Sequence, residues 1–333
     1  MRKVTSIIAA ALVAWGCGAQ ERFANPVIGR DWPDPTVWEA DGTFYTVATG
    51  MRTILTSPDL VHWTDSGKAP LSEDARAKAR AAGRNFWAPD VVRLGDRWML
   101  YLTCYNSDRD CGIFAFSAEK PDGPFEFIGK ITHSTDTGIK DTIDPEVLQD
   151  PATGQVWLFF GSVGSQHRVR LNPTGTAVAE GAVYEHTAGL KIDDNPSRTQ
   201  VYEGAYLYRR DGWWYLFVSG GNYGDGSYKI RVGRSRTLEG DFTDREGRLM
   251  KDGYATLLLS SDPEDTFYGP GHNGEIFTDL RGQDYMLFHC HNRASGTRSR
   301  FTFLQRLFWD AEGWPYFEGG KVLAEDLAPL FAR

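Results

Sequence analysis

Residues 141–150 read "DTIDPEVLQD", with one acid before a proline and another after it: Asp144-Pro145-Glu146. Proline fixes its own φ and biases the preceding residue toward extended geometry. Asp144 is therefore expected to open an extended segment with its carboxylate held in a set direction. On its own, Asp-Pro is an ordinary turn signal. Its meaning changes because the segment recurs. Similar stretches are "PDPTVWEADGTFYTVATG" from Pro33, "APDVVRLGDRWMLYLT" from Ala88, "YEGAYLYRRDGWWYLFVSGG" from Tyr202 and "GHNGEIFTDLRGQDYMLFHCH" from Gly271. Each opens on a polar residue, continues as a short alternating strand, turns through a glycine and returns as an apolar, aromatic strand. This is a β-hairpin signature, repeated five times with the segment from Ile143. The openers are Asp34, Asp90, Asp144, Glu203 and His272, separated by 56, 54, 59 and 69 residues.

More strand-like sequence follows each hairpin, so each unit has the material of a four-stranded blade. The stretches "ILTSPDLVHW", "IFAFSAEKPDGPF", "HRVRLNPTG", "IRVGRSRTLEGDF" and "FLQRLFWDAEGWPYF" supply the outer strands. The expected fold is all-β: a five-bladed β-propeller of four-stranded blades around a central channel, over residues 23–333. A β-sandwich with an added domain would not need five similar units. One helix is expected, Ser72 to Gly83, with a serine cap before it and a glycine after it. In such a ring the first strand of each blade lines the channel. Asp34, Asp144 and Glu203 then face a common mouth, however far apart they lie in sequence.

Composition bounds the rest. The chain has 333 residues, is 41% hydrophobic and carries a net charge of −8, which argues against a nucleic-acid partner. No apolar run is long enough for an ordinary membrane span. The N-terminus reads as an export signal over residues 1–19: Arg2 and Lys3, an apolar core from Ile7 to Trp15, then small residues. Two endings fit it. One is peptidase cleavage near Cys17-Gly18-Ala19; the other, favoured, is a loose lipobox "AWGC" with a lipid anchor at Cys17. Localisation follows as secreted, periplasmic or outer-membrane lipoprotein. Cys104 and Cys111 flank a polar loop, and both a bridge across that hairpin and two buried free thiols are open. In "HCH", 289–291, the two histidines share one face of a strand and Cys290 points away, which disfavours a zinc site.

Three carboxylates in one cleft raise one another's pKa values, so one acid can stay protonated while another stays ionised. A glycosidase needs such a pair, and a wide channel mouth leaves room for the water of an inverting reaction. Trp32, Phe86 and Trp87 precede channel strands and are candidate platforms for sugar rings. Ser162, which closes the run "FFGS", joins them as a candidate substrate-binding residue.

Taken in order, "DPTV", "FWAPDV", "DTIDPEV", "FFGS", "YEGAYLYRRDGWWYLFVS", "VGRSRTLEGDF" and "GPGHN" resemble glycoside hydrolase family 43, and within it the arabinanases. The resemblance runs from about Asn25 to Trp314. It implies a five-bladed propeller that hydrolyses with inversion. It assigns Asp34 as general base, Glu203 as general acid, and Asp144 as the carboxylate that orients the acid and tunes its pKa. It implies that His272 helps hold an ion in the channel, usually calcium, often through waters. The implied substrate is plant cell-wall α-1,5-linked L-arabinan or its oligosaccharides, acted on by a monomer. One departure is Pro33, where many arabinanases carry a histidine before the base. That keeps an α-L-arabinofuranosidase or β-xylosidase of the same family in view. A non-catalytic glycan-binding propeller is the reading from another class, and the presence of all three acids speaks against it.

Overall fold

The computed structural model describes residues 20–262 and 264–332. The leader read over residues 1–19, with Cys17, lies outside the described residues. The rest includes five antiparallel blade sheets, one per unit, arranged as a five-bladed β-propeller, and a separate two-stranded sheet. Blade I runs from Thr36–Ala40 out to Thr64–Asp65, blade II from Asn85–Leu94 to Glu126–His133, and blade III from Glu146–Gln149 to Glu185–Ala188. Blade IV runs from Tyr202–Arg210 to Thr256–Leu259. In blade V the innermost position is shared by Phe267–Gly271 and Ile276–Thr278, followed outward by Asp284–Asn292, Arg300–Trp309 and Pro315–Tyr316.

Local chemistry accounts for the hairpins. Asp41-Gly42 and Asp211-Gly212 both take positive φ at each residue, in two-residue loops between Ala40↔Thr43 and Arg210↔Trp213. That is the turn whose twist matches the flanking strands, and Asp-Gly reaches it at low cost. The second strands bury both faces. In blade II, Trp98, Leu100, Leu102 and Cys104 pack toward blade I and the helix, while Met99 and Tyr101 pack toward blade III. This period-two division explains why these strands read as continuous apolar runs. Each of the five seams between neighbouring blades has its own buried cluster.

The helix spans Glu73–Ala82, with the Ser72 hydroxyl accepting from the Ala75 N–H. Gly83 ends it in extended geometry, and a Cβ there would lie 2.5 Å from the Cys104 backbone. The proposed bridge between Cys104 and Cys111 does not form; both thiols are free and buried. Cys104 pairs across the sheet with Gly112, and Cys111 with Tyr105. Cross-strand partners share a face and successive residues alternate, so the two thiols lie on opposite faces of the sheet. The chain ends close the ring, Arg22–Ala24 pairing antiparallel with Glu325–Leu327.

At the channel wall the blades are joined by a closed circuit of hydrogen bonds. Thr36 Oγ1 accepts from the Val91 N–H, Asp90 Oδ2 from Val147, and Glu146 Oε1 from Leu207. The Tyr206 hydroxyl accepts from Ile276, and Glu275 Oε2 from Val37, which returns the circuit to blade I. In every blade the donor is the residue immediately after that blade's own acceptor. Asp90 belongs to this circuit rather than to the mouth. The blade II counterpart of Asp34 is Ala88, two residues earlier.

Asp90 is buried there, Glu146 and Glu275 are partly buried, and the Asp90 charge adds to the raising of the other two. Burial, the larger cause, lifts Asp90 to about 7 and Glu275 to about 8, and Glu146 well above its usual range. Raised carboxyls keep protons that the unfolded chain has lost. Their stabilisation is therefore complete below about pH 4 and declines as pH rises through the folded values. Urea midpoints are expected to fall between about pH 5 and about pH 9. Glu275→Gln, which cannot ionise, should shrink that fall and exceed the parent in stability at the alkaline end. An unchanged slope in the variant would mean that Glu275 is ionised in the fold.

Candidate active site

The mouth positions are set two residues before the circuit acceptors in three blades, at Asp34, Ala88 and Asp144. All three precede a proline, and all three have positive φ: 53°, 24° and 55°. The extended geometry expected for Asp144 is not what forms. Crowding at the convergent mouth selects the left-handed region, which aspartate tolerates better than most residues. In blade IV that conformation falls on Gly204, where a Cβ would lie 2.9 Å from the His272 ring. Glu203 thus sits one residue earlier than its counterparts, where the pairing with the next strand slips.

Asp34, Asp144 and Glu203 line one cleft of about 420 Å³, together with Trp87, Ser162 and His272. Asp34 is tightly held. Its Oδ1 accepts from Arg300 Nη1 at 2.8 Å and lies 3.1 Å from His289 Nδ1 and 3.4 Å from His272 Nδ1. Its Oδ2 accepts from the Thr49 hydroxyl at 2.7 Å, and Thr49 Oγ1 in turn accepts from the Ala88 N–H. Burial pushes Asp34 up, but Arg300, His272 and His289 together overcome it and hold the carboxyl well below its usual range. His289 is itself neutral, lowered to about 3 by burial and by Arg300.

The opposite wall is electrostatically different. Glu203 accepts from the Ser162 hydroxyl at 2.6 Å and the Tyr228 hydroxyl at 2.7 Å, with Arg198 Nη2 4.0 Å away. Burial and the Glu203 charge keep Tyr228 protonated, as a donor must be. Asp144 is lifted well above its usual range by burial, then by the charges of Glu203, Asp34 and Asp141. Asp34 is stabilised as an anion, while Asp144 across from it is pushed toward its protonated form.

Of the aromatic candidates, only Trp87 lines the cleft, its ring stacked on Tyr105 at 3.7 Å. Trp32 and Phe86 do not reach it. Trp32 packs with Ile28, Ala48 and Leu55 and donates its indole N–H to Thr46, and Phe86 lies in the cluster between blades I and II. Successive strand residues alternate sides, so Phe86 and Trp87 cannot both face the cleft. Ser162 is buried beneath Glu203 and reaches the cleft through its hydroxyl. Sequence reasoning passed over Arg300, His289 and Tyr228. His291 bonds backbone carbonyls of Tyr223 and Ser299. Among the described residues no group of three His, Cys, Asp or Glu side chains could hold a metal. A hollow of about 550 Å³ at the chain-end seam, lined by residues such as Phe23 and Phe331, contains none of the three acids.

A five-bladed propeller whose mouth gathers three acids, with Asp34 held as an anion and Asp144 raised opposite it, has the groups of a glycosidase. The family model for glycosyl hydrolases family 43 matches residues 23–315, and the chain belongs to that family. It is 29% identical to an extracellular exo-α-(1→5)-L-arabinofuranosidase of Cellvibrio japonicus, over 93% of this chain and 90% of the relative. It is 28% identical to extracellular endo-α-(1→5)-L-arabinanase 1 of Bacillus subtilis, over 94% and 93%. Its fold matches a Cellvibrio cellulosa α-L-arabinanase solved with arabinohexaose, with a TM-score of 0.74, 27% identity, and 86% and 95% coverage.

The Arg300–Asp34 pair carries a stability prediction. Arg300→Met strands a buried carboxylate and should cost about 3–5 kcal/mol in urea unfolding at neutral pH. Adding Asp34→Asn should recover most of that loss, because the stranded charge is then gone. Strictly additive costs would show that the pair is not coupled.

Proposed function

We propose that this protein is an exported hydrolase that cleaves α-1,5-linked L-arabinan with inversion of configuration. The observation that carries the chemistry is the split across the cleft: Asp34 is held as an anion, and Asp144, beside Glu203 on the opposite wall, is pushed toward its protonated form. In this reading Asp34 accepts a proton from the attacking water, with Thr49 and Arg300 fixing the carboxylate. Glu203 delivers a proton to the departing glycosidic oxygen, and Tyr228 and Ser162 orient it. Asp144, charged only at high cost, keeps the proton inventory of the acid side full. The substrate class rests on relatives from two genera named for α-1,5-arabinan and on the arabinohexaose held by the structural neighbour. Export rests on the leader pattern and on relatives named extracellular.

Purified protein should release arabinose or short arabino-oligosaccharides from linear arabinan, with little cleavage of nitrophenyl xyloside. The first product, followed by NMR, should carry the inverted anomer. Glu203→Gln should lose about 10²–10⁴-fold in rate on polymer. A retained anomer removes the inverting assignment, and full activity in the variant removes Glu203 as the acid. Cleavage of the xyloside with arabinan untouched would transfer the protein to the xylosidase reading.

Calcium belongs to the same reading. His272 would hold it, and the neighbouring Asn273 is buried with an Oδ1 that has no partner, an oxygen of the kind calcium prefers. Most other ligands would be water. Bound there, the ion would supply positive charge near the mouth. Chelation should lower the melting temperature and added calcium should restore it. A melting curve indifferent to both, with no metal by elemental analysis, leaves His272 as a structural residue.

A further inference from the structure

On the Glu203 side of the cleft two charged residues face the same space without pairing with each other. Asp141 and Arg198 both line the cavity, and the Arg198 charge acts on Asp141, yet they form no ion pair within 4.0 Å. Asp141 is only 7% exposed and its Oδ1 has no hydrogen-bond partner. The Nε of Arg198 is likewise buried and unpartnered. Both residues have positive φ, 46° and 62°. For arginine that conformation is uncommon and is retained where surrounding structure forces it, a frequent circumstance at binding sites. Asp141 Oδ1 and Arg198 Nε have no partner, although Arg198 Nη2 lies 4.0 Å from Glu203 and the Tyr105 hydroxyl lies beside Asp141, and such an acceptor and donor set apart call for a ligand with both functions close together.

An aromatic surface lies beside them. The Trp87 and Tyr105 rings stack with 22° between their planes and both line the cleft, and Tyr105 is close enough for the Asp141 charge to act on it. Flat apolar rings beside a converging polar pair suit a sugar, which has an apolar face and a hydroxyl rim.

We propose that Asp141 and Arg198 bind the vicinal 2,3-diol of an arabinofuranosyl residue resting against the Trp87–Tyr105 stack, on the acid side of the cleft. The inference builds on the arabinan reading. A 1,5-linkage leaves both of those hydroxyls free, whereas a branch at either oxygen removes a donor and fills the gap. The pair thus makes the enzyme selective for unbranched stretches of chain. Asp141 accepts from one hydroxyl and Arg198 donates to the other.

The test is binding of linear 1,5-arabinotriose by calorimetry in an Asp34→Asn background, which stops turnover from the far wall and leaves every side chain of the acid side in place. Adding Asp141→Ala or Arg198→Ala should weaken binding about 10- to 100-fold each. Asp141→Asn and Arg198→Lys, with melting curves for all variants, separate lost contacts from lost folding. A 2-deoxy arabinotriose should bind weakly from the start and should lose nothing more in the alanine variant of the residue that reads that hydroxyl. Unchanged affinity in both alanine variants, or an equal further loss with the deoxy ligand, overturns the assignment. If Asp34→Asn binds xylotriose and not arabinotriose, the arabinan reading falls. The same cycle on xylotriose then decides whether the pair reads a diol. Binding of neither sugar overturns both.

Discussion

The structure depends on the five hydrogen bonds that close around the channel. Hydrophobic burial between blades is non-directional and would tolerate small rotations of one blade against the next. A side-chain oxygen that must meet the backbone N–H of a neighbouring blade does not tolerate them. Thr36, Asp90, Glu146, Tyr206 and Glu275 differ in length and chemistry, yet each reaches the same acceptor point. The circuit fixes the angular setting of every inner strand. With it, the positions of the residues just before each acceptor, among them Asp34 and Asp144, are fixed as well.

That scaffold determines how charge is arranged above it. Three circuit members are carboxyls raised to neutral pH or above it, so the channel floor carries less negative charge than three ordinary acids would. Arg300, from the third strand of blade V, can then act on Asp34 almost undiluted, at 2.8 Å. Among the described residues no cation is paired with Asp144, and Glu203 has Arg198 at 4.0 Å. The two walls of one small cleft therefore hold carboxyls in opposite protonation states. That difference, more than the presence of three acids, is what acid–base hydrolysis requires.

The repeated hairpin, its Asp-Gly turns and the three acids were legible in the sequence because each is a local pattern with a fixed period. Other features followed from contacts that no local pattern announces. Arg300 and His289 come from the third and second strands of blade V and Tyr228 from just before the third strand of blade IV, away from the repeated inner hairpin openings that the sequence pattern marks. Asp90 looked equivalent to Asp34 because a proline precedes it in "APD", but in blade II the proline follows the mouth position, Ala88, rather than an acid. Trp32 and Phe86 misled because an aromatic next to a channel strand can face either side, and the sequence does not reveal which. The cysteines show the same limit: a loop between them suggested proximity, while the alternation of strand faces set them apart.

The positive φ values at the mouth link the constraint to the chemistry. Asp34, Ala88, Asp144, Gly204 and His272 all adopt a conformation that glycine alone takes freely. Five blades that converge on a narrow channel must turn sharply to enter their inner strands. The left-handed bend turns the chain there and presents to the opening the side chain at the bend or the one just before it. Where the bend falls on an aspartate, the carboxylate itself is presented. Where it falls on Gly204, the preceding Glu203 is presented instead, and the longer side chain spans the extra distance to Ser162 and Tyr228. The choice of Glu rather than Asp for the third acid is thus a consequence of where blade IV makes its turn.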